Sequence, residues 1–260
     1  MPSRFALARA AWAAASAATI AGAVADRPGL QRIAKPLIVP SLALAVRPRD
    51  TVDAALFGAG LAAATVGDVI LLEPDDDRRI VRGAIAFAVM QGAYSVLLWR
   101  RRARVTAPAA VPRVAGWLAA ATLLRARQPA VAAPLAAYGL TLGAATTLAS
   151  DPALAPGSRA VGGFVVPDRD PRSRLALGAL LFTVSDALIV VRRVLLKGET
   201  ARRATEGVVL TTYAGAQVLL VEGMSARRTA PPSLCQWGAH SRASSSRGCR
   251  GRPRLRRSGR

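Results

Sequence analysis

Residues 175–191 read LALGALLFTVSDALIVV, an apolar run in which Asp186 is the one ionisable side chain. A transmembrane helix needs about 20 predominantly apolar residues to cross the hydrocarbon core of a bilayer, with a lower limit near 17. This stretch meets that limit and has apolar residues on both sides of its carboxyl group. It therefore predicts a membrane-spanning helix with an acidic side chain inside the bilayer.

Seven further apolar segments of spanning or near-spanning length occur along the chain. They are residues 5–24, 33–46, 52–72, 80–99, 111–124, 129–149 and 207–221. Those at 33–46 and 111–124 are short and weak, so a count of seven spans also fits the sequence. The long connection 150–174, rich in Pro, Gly, Asp and Arg, predicts an exposed loop. The expected fold class is all-α, an integral membrane bundle of about eight transmembrane helices.

The composition supports a membrane protein with basic loops. The chain has 260 residues, with 36 Lys and Arg against 15 Asp and Glu, and 52% of its residues are hydrophobic. Its mean hydropathy is +0.29. A soluble protein with a net charge of +21 would place that charge on a polar surface and would not average hydrophobic. This hydrophobicity also excludes disorder for most of the chain.

Residues 225–260 differ in kind from the preceding 224 residues, because they are rich in Arg and Ser and contain no acidic residue. We therefore expect a transmembrane helical domain over residues 1–224 and a disordered tail over 225–260. The tail either attaches electrostatically to anionic lipids or nucleic acid, or is an extension without a function.

The distribution of His and Cys excludes several classes of chemistry from the body of the protein. His240, Cys235 and Cys249 all lie in the tail, so residues 1–234 contain neither residue type. Cysteine nucleophiles, catalytic triads with histidine, and His/Cys zinc sites are excluded there. Any chemistry must use Asp, Glu, Lys, Arg, Tyr, Ser or Thr, and no metal or cofactor is expected.

The first apolar segment allows two interpretations. Ala23-Val24-Ala25 before Asp26 resembles a signal-peptidase site, so the segment is either a retained helix or a cleaved signal. With eight spans, the distribution of Lys and Arg favours both termini in the cytoplasm, but only through the arginines of the tail. The expected location is a bacterial plasma membrane.

Two carboxyl groups, those of Asp68 and Asp186, lie inside predicted spans with an apolar run on both sides. An ionisable side chain at the bilayer centre costs about 2.5–3.5 kcal/mol on insertion scales, so such residues are functional candidates. Neither has a basic neighbour within one helical turn, so any partner must come from another helix. A purely structural hydrogen bond is the alternative for either aspartate alone. Two such residues, with no basic residue central in any span, favour a shared site.

Other polar residues are candidates for the same site. Lys35 opens the second segment, where it can either reach a phosphate group or extend to the membrane surface. Gln91 with Tyr94, and Tyr213 with Gln217, are spaced so that each pair shares a helix face. We expect both pairs to face inward, although packing alone would also explain that placement.

Four motifs, read in order, resemble the YhhN-type membrane proteins, the lysoplasmalogenase family. They are Lys35–Leu37, Gly67–Leu72, Gly178–Ile189 and Thr212–Gln217, and the similarity extends over residues 30–223. The resemblance implies about eight helices and hydrolysis of the vinyl ether bond of lysoplasmalogens to a fatty aldehyde and a glycerophospho-base. It also implies that Asp68 and Asp186 occupy the two catalytic acidic positions.

The resemblance implies a lysophospholipid substrate, membrane lipids as surroundings, and no specific nucleic acid. Lys35 would hold the phosphate, and the other predicted substrate-binding residues are Gln91, Tyr94, Ser185, Tyr213 and Gln217. Gln91 departs from the family, whose members usually have His at this position. Because Gln cannot exchange a proton near neutral pH, the departure predicts a slower enzyme or another substrate.

Two functions outside hydrolysis remain open from the sequence alone. Intramembrane aspartates also serve as proton relays, and helices interrupted by Gly and Pro suit alternating access. A proton-coupled carrier of small molecules would therefore use the same two carboxyl groups. A scaffold whose polar residues only stabilise the bundle is the third reading.

Overall fold

The computed structural model of the chain describes residues 3–73 and 75–226, and these residues are predominantly helical. The predicted tail from residue 227 onward lies outside the described residues, whereas Ser225 still belongs to the last helix and is buried. Nine α-helices occur in the described part of the chain: α1 Arg4–Val24, α2 Pro28–Ala34, α3 Ile38–Ser41, α4 Thr51–Ile70, α5 Asp77–Arg100, α6 Ala107–Arg127, α7 Pro129–Ala149, α8 Leu175–Val194 and α9 Glu199–Ser225.

Seven of these helices, α1 and α4 to α9, are long and apolar enough to cross a membrane. Their side chains facing away from the bundle are apolar, for example Ile85 on α5 and Val111 on α6, which are 59% and 66% exposed. Exposed apolar side chains at this density suit lipid rather than water as the surroundings. The prediction of an all-α, multi-pass membrane bundle is confirmed.

Ion pairs at the helix ends define the two ends of the bundle. Arg9 of α1 pairs with Glu222 of α9 at 2.6 Å, and we call this the proximal end. Asp26, just after α1, pairs with Arg203 of α9 at 2.8 Å at the opposite, distal end. The start of α1 and the finish of α9 therefore lie at the same end of the bundle.

The predicted segment 33–46 forms a broken path instead of one continuous helix. Short 3₁₀ turns at Lys35–Leu37 and Leu42–Ala45 flank α3. Pro36 and Pro40 cause the breaks, because proline has no backbone N–H and its ring clashes with the preceding turn. An irregular backbone at membrane depth must be buried in protein. Ile38, Val39 and Leu42 meet this condition, because none of them is exposed.

This broken segment still connects the two ends of the bundle. Asp26, which precedes it, lies at the distal end, and Arg47, which follows it, stacks over the Phe5 ring at 4.0 Å near the start of α1. The segment therefore runs from the distal end back to the proximal end. As a result, α4 starts at the proximal end, and the later long helices run in alternating directions.

Aromatic rings at the centre of the bundle position the polar residues around them. Phe87 of α5, Phe182 of α8 and Tyr213 of α9 pack edge to face, with ring centroids 5.8 to 6.4 Å apart. Gly67 lets α4 approach this cluster closely, since a Cβ atom there would lie 2.6 Å from the Phe87 ring. Asp68, the next residue, is held beside the cluster as a result.

The connection between α7 and α8 is less exposed than predicted. It contains a two-stranded antiparallel hairpin, β1 Ala160–Val161 and β2 Phe164–Val165. Asp151 anchors its start by accepting a hydrogen bond from the backbone N–H of Arg104 at 2.6 Å, and Arg172 and Ser173 near its end are buried. Contacts of this kind, which composition alone does not reveal, hold the loop against the rest of the protein.

Acidification is expected to loosen the end of this loop. The hydrogen bond and charge of Arg172 outweigh partial burial and hold the pKa of Asp170 below its ordinary value. A lowered pKa in the folded state stabilises the fold above the unfolded pKa of about 3.9, and this stabilisation is lost as the pH falls through the folded value. Hydrogen exchange of residues 158–174, corrected for intrinsic rates, should therefore accelerate below about pH 4. An Asp170→Asn variant showing the same acid response as the wild type would contradict this role.

Candidate functional site

A cavity of about 520 Å³ lies within the bundle, and all of the long helices from α4 to α9 contribute to its wall. Asp68 and Asp186 both line it, together with Tyr138 and Tyr213, while most of the remaining wall is apolar. The two carboxyl groups that the sequence singled out therefore face the same cavity, although they come from different helices. A shared site requires this arrangement.

Asp68 lies near the distal end of α4 and is 2% exposed. Its carboxylate accepts a hydrogen bond from the Tyr213 hydroxyl at 2.8 Å. The Lys35 ammonium donates a hydrogen bond to the carbonyl of Leu71 at 2.8 Å, which places it within one helical turn of Asp68. Lys35 is itself 5% exposed, so a cation and a carboxyl group are buried close together at this end of the cavity.

A chain of hydrogen bonds continues from Tyr213 into the protein. Gln217 donates to the Tyr213 hydroxyl at 3.2 Å, and Tyr94 donates to the Gln217 side-chain oxygen at 3.4 Å. Gln217 and Tyr94 are 0% and 1% exposed and stand behind the cavity wall rather than in it. Their place favours orientation of Tyr213, and a direct contact with substrate stays a prediction for both.

Asp186 lies in the middle of α8 and is half-buried, because one side of it faces the cavity. Its carboxylate accepts a hydrogen bond from the Tyr138 hydroxyl of α7. The neighbouring Ser185 lines the cavity and donates to the Val209 carbonyl of α9 at 3.1 Å. This bond ties α8 to α9 and limits rotation of α8, which keeps Asp186 directed toward the cavity.

Gln91 lies beside the Tyr138 hydroxyl and is 1% exposed, so it belongs to the surroundings of Asp186 rather than to the cavity wall. Its amide nitrogen makes no hydrogen bond with the described part of the chain. Both carboxyl groups are thus paired with a tyrosine, and each tyrosine has a glutamine next to it.

The chain matches the sequence model of a known protein family. The sequence model of the YhhN family matches residues 30–224, which is most of the chain. The chain belongs to the YhhN family. No curated protein and no solved structure matches it. The match begins within α2 and ends within α9, so it contains both aspartates and every wall of the cavity, and it confirms the resemblance carried by the four motifs.

Tyr138 was not predicted from the sequence, although it contacts Asp186 directly. Its segment contains no Asp, Glu, Lys or Arg, and most of the surface of a tyrosine side chain is apolar, so Tyr138 did not stand out among its neighbours. A usable signal was present in the composition of this YhhN-family chain. It has three tyrosines, and all three take part in the hydrogen bonds around the two aspartates.

Arg113 is the second residue that the sequence did not predict. The predicted span 111–124 contains Arg113 as its third residue, whereas α6 begins at Ala107 and contains Arg113 after nearly two turns. It lines the proximal part of the cavity. Its guanidinium donates to Thr146 Oγ1 at 3.0 Å and to Ser150 Oγ at 2.7 Å, two side chains supplied by α7 and the residue after it.

Proposed function

We propose that this YhhN-family chain is a lysoplasmalogenase-like hydrolase that cleaves the vinyl ether bond of lysoplasmalogens. The products are a fatty aldehyde and a glycerophospho-base. The observation that carries the proposal is the pair of carboxyl groups, Asp68 and Asp186, which face one largely apolar cavity and each accept a hydrogen bond from a tyrosine.

The chemistry requires one acid and one base. A carboxylic acid protonates the β-carbon of the vinyl ether, and the positive charge that develops is shared by the α-carbon and the ether oxygen. Water adds to the α-carbon and loses a proton, which gives a hemiacetal. The hemiacetal collapses to the aldehyde and the free glycerol hydroxyl. A carboxylate near the cation stabilises it and accepts the proton of the water, as in glycoside hydrolysis.

The surroundings of the two aspartates support different roles. Lys35 donates a hydrogen bond to the carbonyl of Leu71, within one helical turn of Asp68, and a cation at this position suits Asp68 as the carboxylate that stabilises the cation and activates water. Asp186 has Tyr138 as its partner and no cation paired with it among the described residues, which suits the neutral acid. Tyr138 and Tyr213 hold the two carboxyl groups in position, so neither must reorganise during the reaction.

The shape of the cavity supports a substrate with one hydrocarbon chain. Leu180 of α8 lines the cavity and is 43% exposed. Gly116 of α6 likewise lines it and is exposed. The cavity therefore reaches the lipid-facing surface near these two helices. A single-chain amphiphile can enter sideways from the bilayer there and place its ether bond beside the carboxyl groups.

The orientation in the membrane belongs to the same proposal. The start of α1 and the finish of α9 meet at the proximal end through Arg9 and Glu222. We place this end in the cytoplasm, as the excess of arginine beyond α9 favours. The location would be a plasma membrane, where lysophospholipids reach the protein from the bilayer.

Release of aldehyde tests the function directly. Purified protein in detergent, given a lysoplasmalogen, is expected to release fatty aldehyde and glycerophospho-base in equal amounts, measured by trapping of the aldehyde and mass spectrometry. The matched control is the saturated 1-O-alkyl analogue, which lacks the double bond that is protonated and should yield no aldehyde. Absence of aldehyde, together with movement of a solute across the membrane of sealed vesicles, would contradict the hydrolase function and favour a proton-coupled carrier.

A further inference from the structure

Arg113 stands inside a membrane-spanning helix and faces the cavity without an acidic partner among the residues that the structure describes. Its three hydrogen bonds go to neutral oxygens, the carbonyl of Ala109 and the hydroxyls of Thr146 and Ser150. Arg113 forms no ion pair with a carboxylate in the described part of the chain, and its half-buried side chain lies on the cavity wall. A guanidinium inside a membrane span without a counter-charge is costly, which calls for an anion from outside the chain.

The other cations that line the cavity already have carboxylates beside them in the described structure. Lys35 lies within one helical turn of Asp68, because its ammonium donates a hydrogen bond to the carbonyl of Leu71. Arg192 pairs with Asp75 at 2.9 Å and with Glu206 at 3.3 Å. The neighbouring arginine at position 193 pairs with the carboxylate at position 77. Arg113 is thus the cavity-lining cation whose charge the described part of the chain leaves without compensation.

We infer that Arg113 binds the phosphate group of the substrate at the proximal end of the cavity. The inference rests on the proposed function, because it assumes that the ligand is a lysophospholipid. A guanidinium carries five N–H donors, of which the three bonds to Ala109, Thr146 and Ser150 occupy one on each nitrogen. Two donors remain, and the planar geometry of arginine suits two hydrogen bonds to phosphate oxygens.

The spacing along α7 agrees with the length of the substrate. Arg113 is bonded to Thr146, while Tyr138, eight residues earlier on the same helix, is bonded to Asp186. At a rise of 1.5 Å per residue these two levels are about 12 Å apart. Seven bonds separate the phosphorus atom of a lysoplasmalogen from the β-carbon of its vinyl ether, roughly 9 Å when extended. A hydrogen bond of about 3 Å to the guanidinium covers the remaining distance.

This assignment orients the substrate in the cavity. The head group lies near Arg113 and the glycine-containing turn of the hairpin, where Gly162 and Gly163 line the proximal end. The vinyl ether then reaches Asp186, and the hydrocarbon chain continues along the apolar wall. Under this assignment the phosphate is bound by Arg113 rather than by Lys35, which lies within one helical turn of Asp68.

Binding of uncleavable lipids tests this assignment independently of hydrolysis. The probes are 1-O-hexadecyl-glycero-3-phosphocholine, a saturated ether with phosphate, and 1-O-hexadecylglycerol, which lacks phosphate. Affinities are measured on the purified full chain in detergent, from ligand-induced shifts in thermal unfolding. Arg113→Gln should weaken binding of the phosphate lipid by about 10- to 100-fold, the range expected for lost hydrogen bonds to a charged group. Binding of the glycerol lipid should not change.

Two further variants separate binding from structure. Arg113→Lys keeps the charge but not the planar donor pair, so it should bind the phosphate lipid with intermediate affinity. If Arg113→Gln does not fold, Arg113→Lys still provides the test. Unchanged affinity of Arg113→Lys for the phosphate lipid would then contradict the inference. Arg125→Gln, at the exposed other end of α6, is the matched control and should bind both lipids as the wild type does.

The outcomes distinguish this inference from the proposed function. If the Arg113→Gln protein prefers the phosphate lipid over the glycerol lipid as strongly as the wild type does, that result would indicate Lys35 as the phosphate-binding residue and overturn the inference. Equal losses for both lipids would assign Arg113 to packing of α6 against α7, and would also overturn it. Binding of inorganic phosphate that depends on Arg113, without any binding of the phosphate lipid, would assign the site to a free anion. Lipid binding that depends on Arg113, without any release of aldehyde, would contradict the proposed hydrolase function but not the assignment of Arg113 to phosphate binding.

Discussion

Asp186→Asn and Asp68→Asn are each expected to lower the rate of vinyl ether hydrolysis by about 10²–10⁴-fold, the usual contribution of general acid–base catalysis. Asparagine keeps the size of aspartate and much of its hydrogen bonding, so Tyr138 and Tyr213 retain a partner. It can neither deliver a proton as an acid nor carry a negative charge. The substitution therefore separates the acid–base role from packing. The measurement is turnover of a lysoplasmalogen, with folding checked by gel filtration and thermal unfolding.

The double variant is expected to be little slower than either single variant. The two carboxyl groups act on one proton-transfer sequence, so removal of either one already disables it, and effects of residues that act as a unit are not additive. Asp76→Asn provides a matched control. Asp76 caps the start of α5, lies outside the cavity wall and is exposed, and asparagine is an equally good cap. Wild-type turnover in both cavity variants would show that the carboxyl groups are structural.

Asp53→Ala is expected to destabilise the protein by about 3–5 kcal/mol, which is the usual loss when one member of a buried ion pair is removed. The Asp53 carboxylate accepts hydrogen bonds from Arg100 at 3.0 Å and from Arg101 at 3.3 Å. The side chains of Asp53 and Arg101 are 3% and 7% exposed. Removal of the carboxylate leaves the buried Arg101 with an uncompensated charge. Thermal unfolding in detergent, followed by circular dichroism, measures the loss.

Asp50→Ser is the matched control for this prediction. Asp50 pairs with the same Arg100 at 2.6 Å, but half of its side chain is exposed, and it also caps the start of α4. Serine preserves the cap, so the variant loses only an exposed ion pair, a change of about 0–1 kcal/mol. Equal destabilisation by the two substitutions would contradict the assignment of the large effect to burial.

The spans were predictable because their signal is local. A stretch such as residues 175–191 carries enough apolar side chains to cross a bilayer, whatever the rest of the chain does. The same hydropathy marks Asp68 and Asp186 as exceptional, because an acidic group within such a stretch is energetically costly and therefore indicates a function. The order of the four motifs then indicated the YhhN family, which the family comparison confirmed.

The margins of the elements were harder to predict, because they depend on several competing local effects. Segment 33–46 is apolar enough to suggest a helix, yet Pro36 and Pro40 divide it, and burial in the bundle allows the resulting irregular backbone. The weak hydropathy near Arg113 placed that residue at the edge of its span. In the structure α6 begins earlier, at Ala107, so Arg113 lies inside the helix.

The partners of the two aspartates were decided by the tertiary structure. Tyr213 follows Asp68 by 145 residues, and Tyr138 precedes Asp186 by 48, so no local pattern links either pair. Which side chains meet depends on the rotation and neighbours of each helix, which follow from the packing of the whole bundle. The sequence alone determined that two carboxyl groups lie within apolar segments. Packing determined that they share a cavity, that Lys35 lies close to one of them, and that Arg113 faces the same space from the other end.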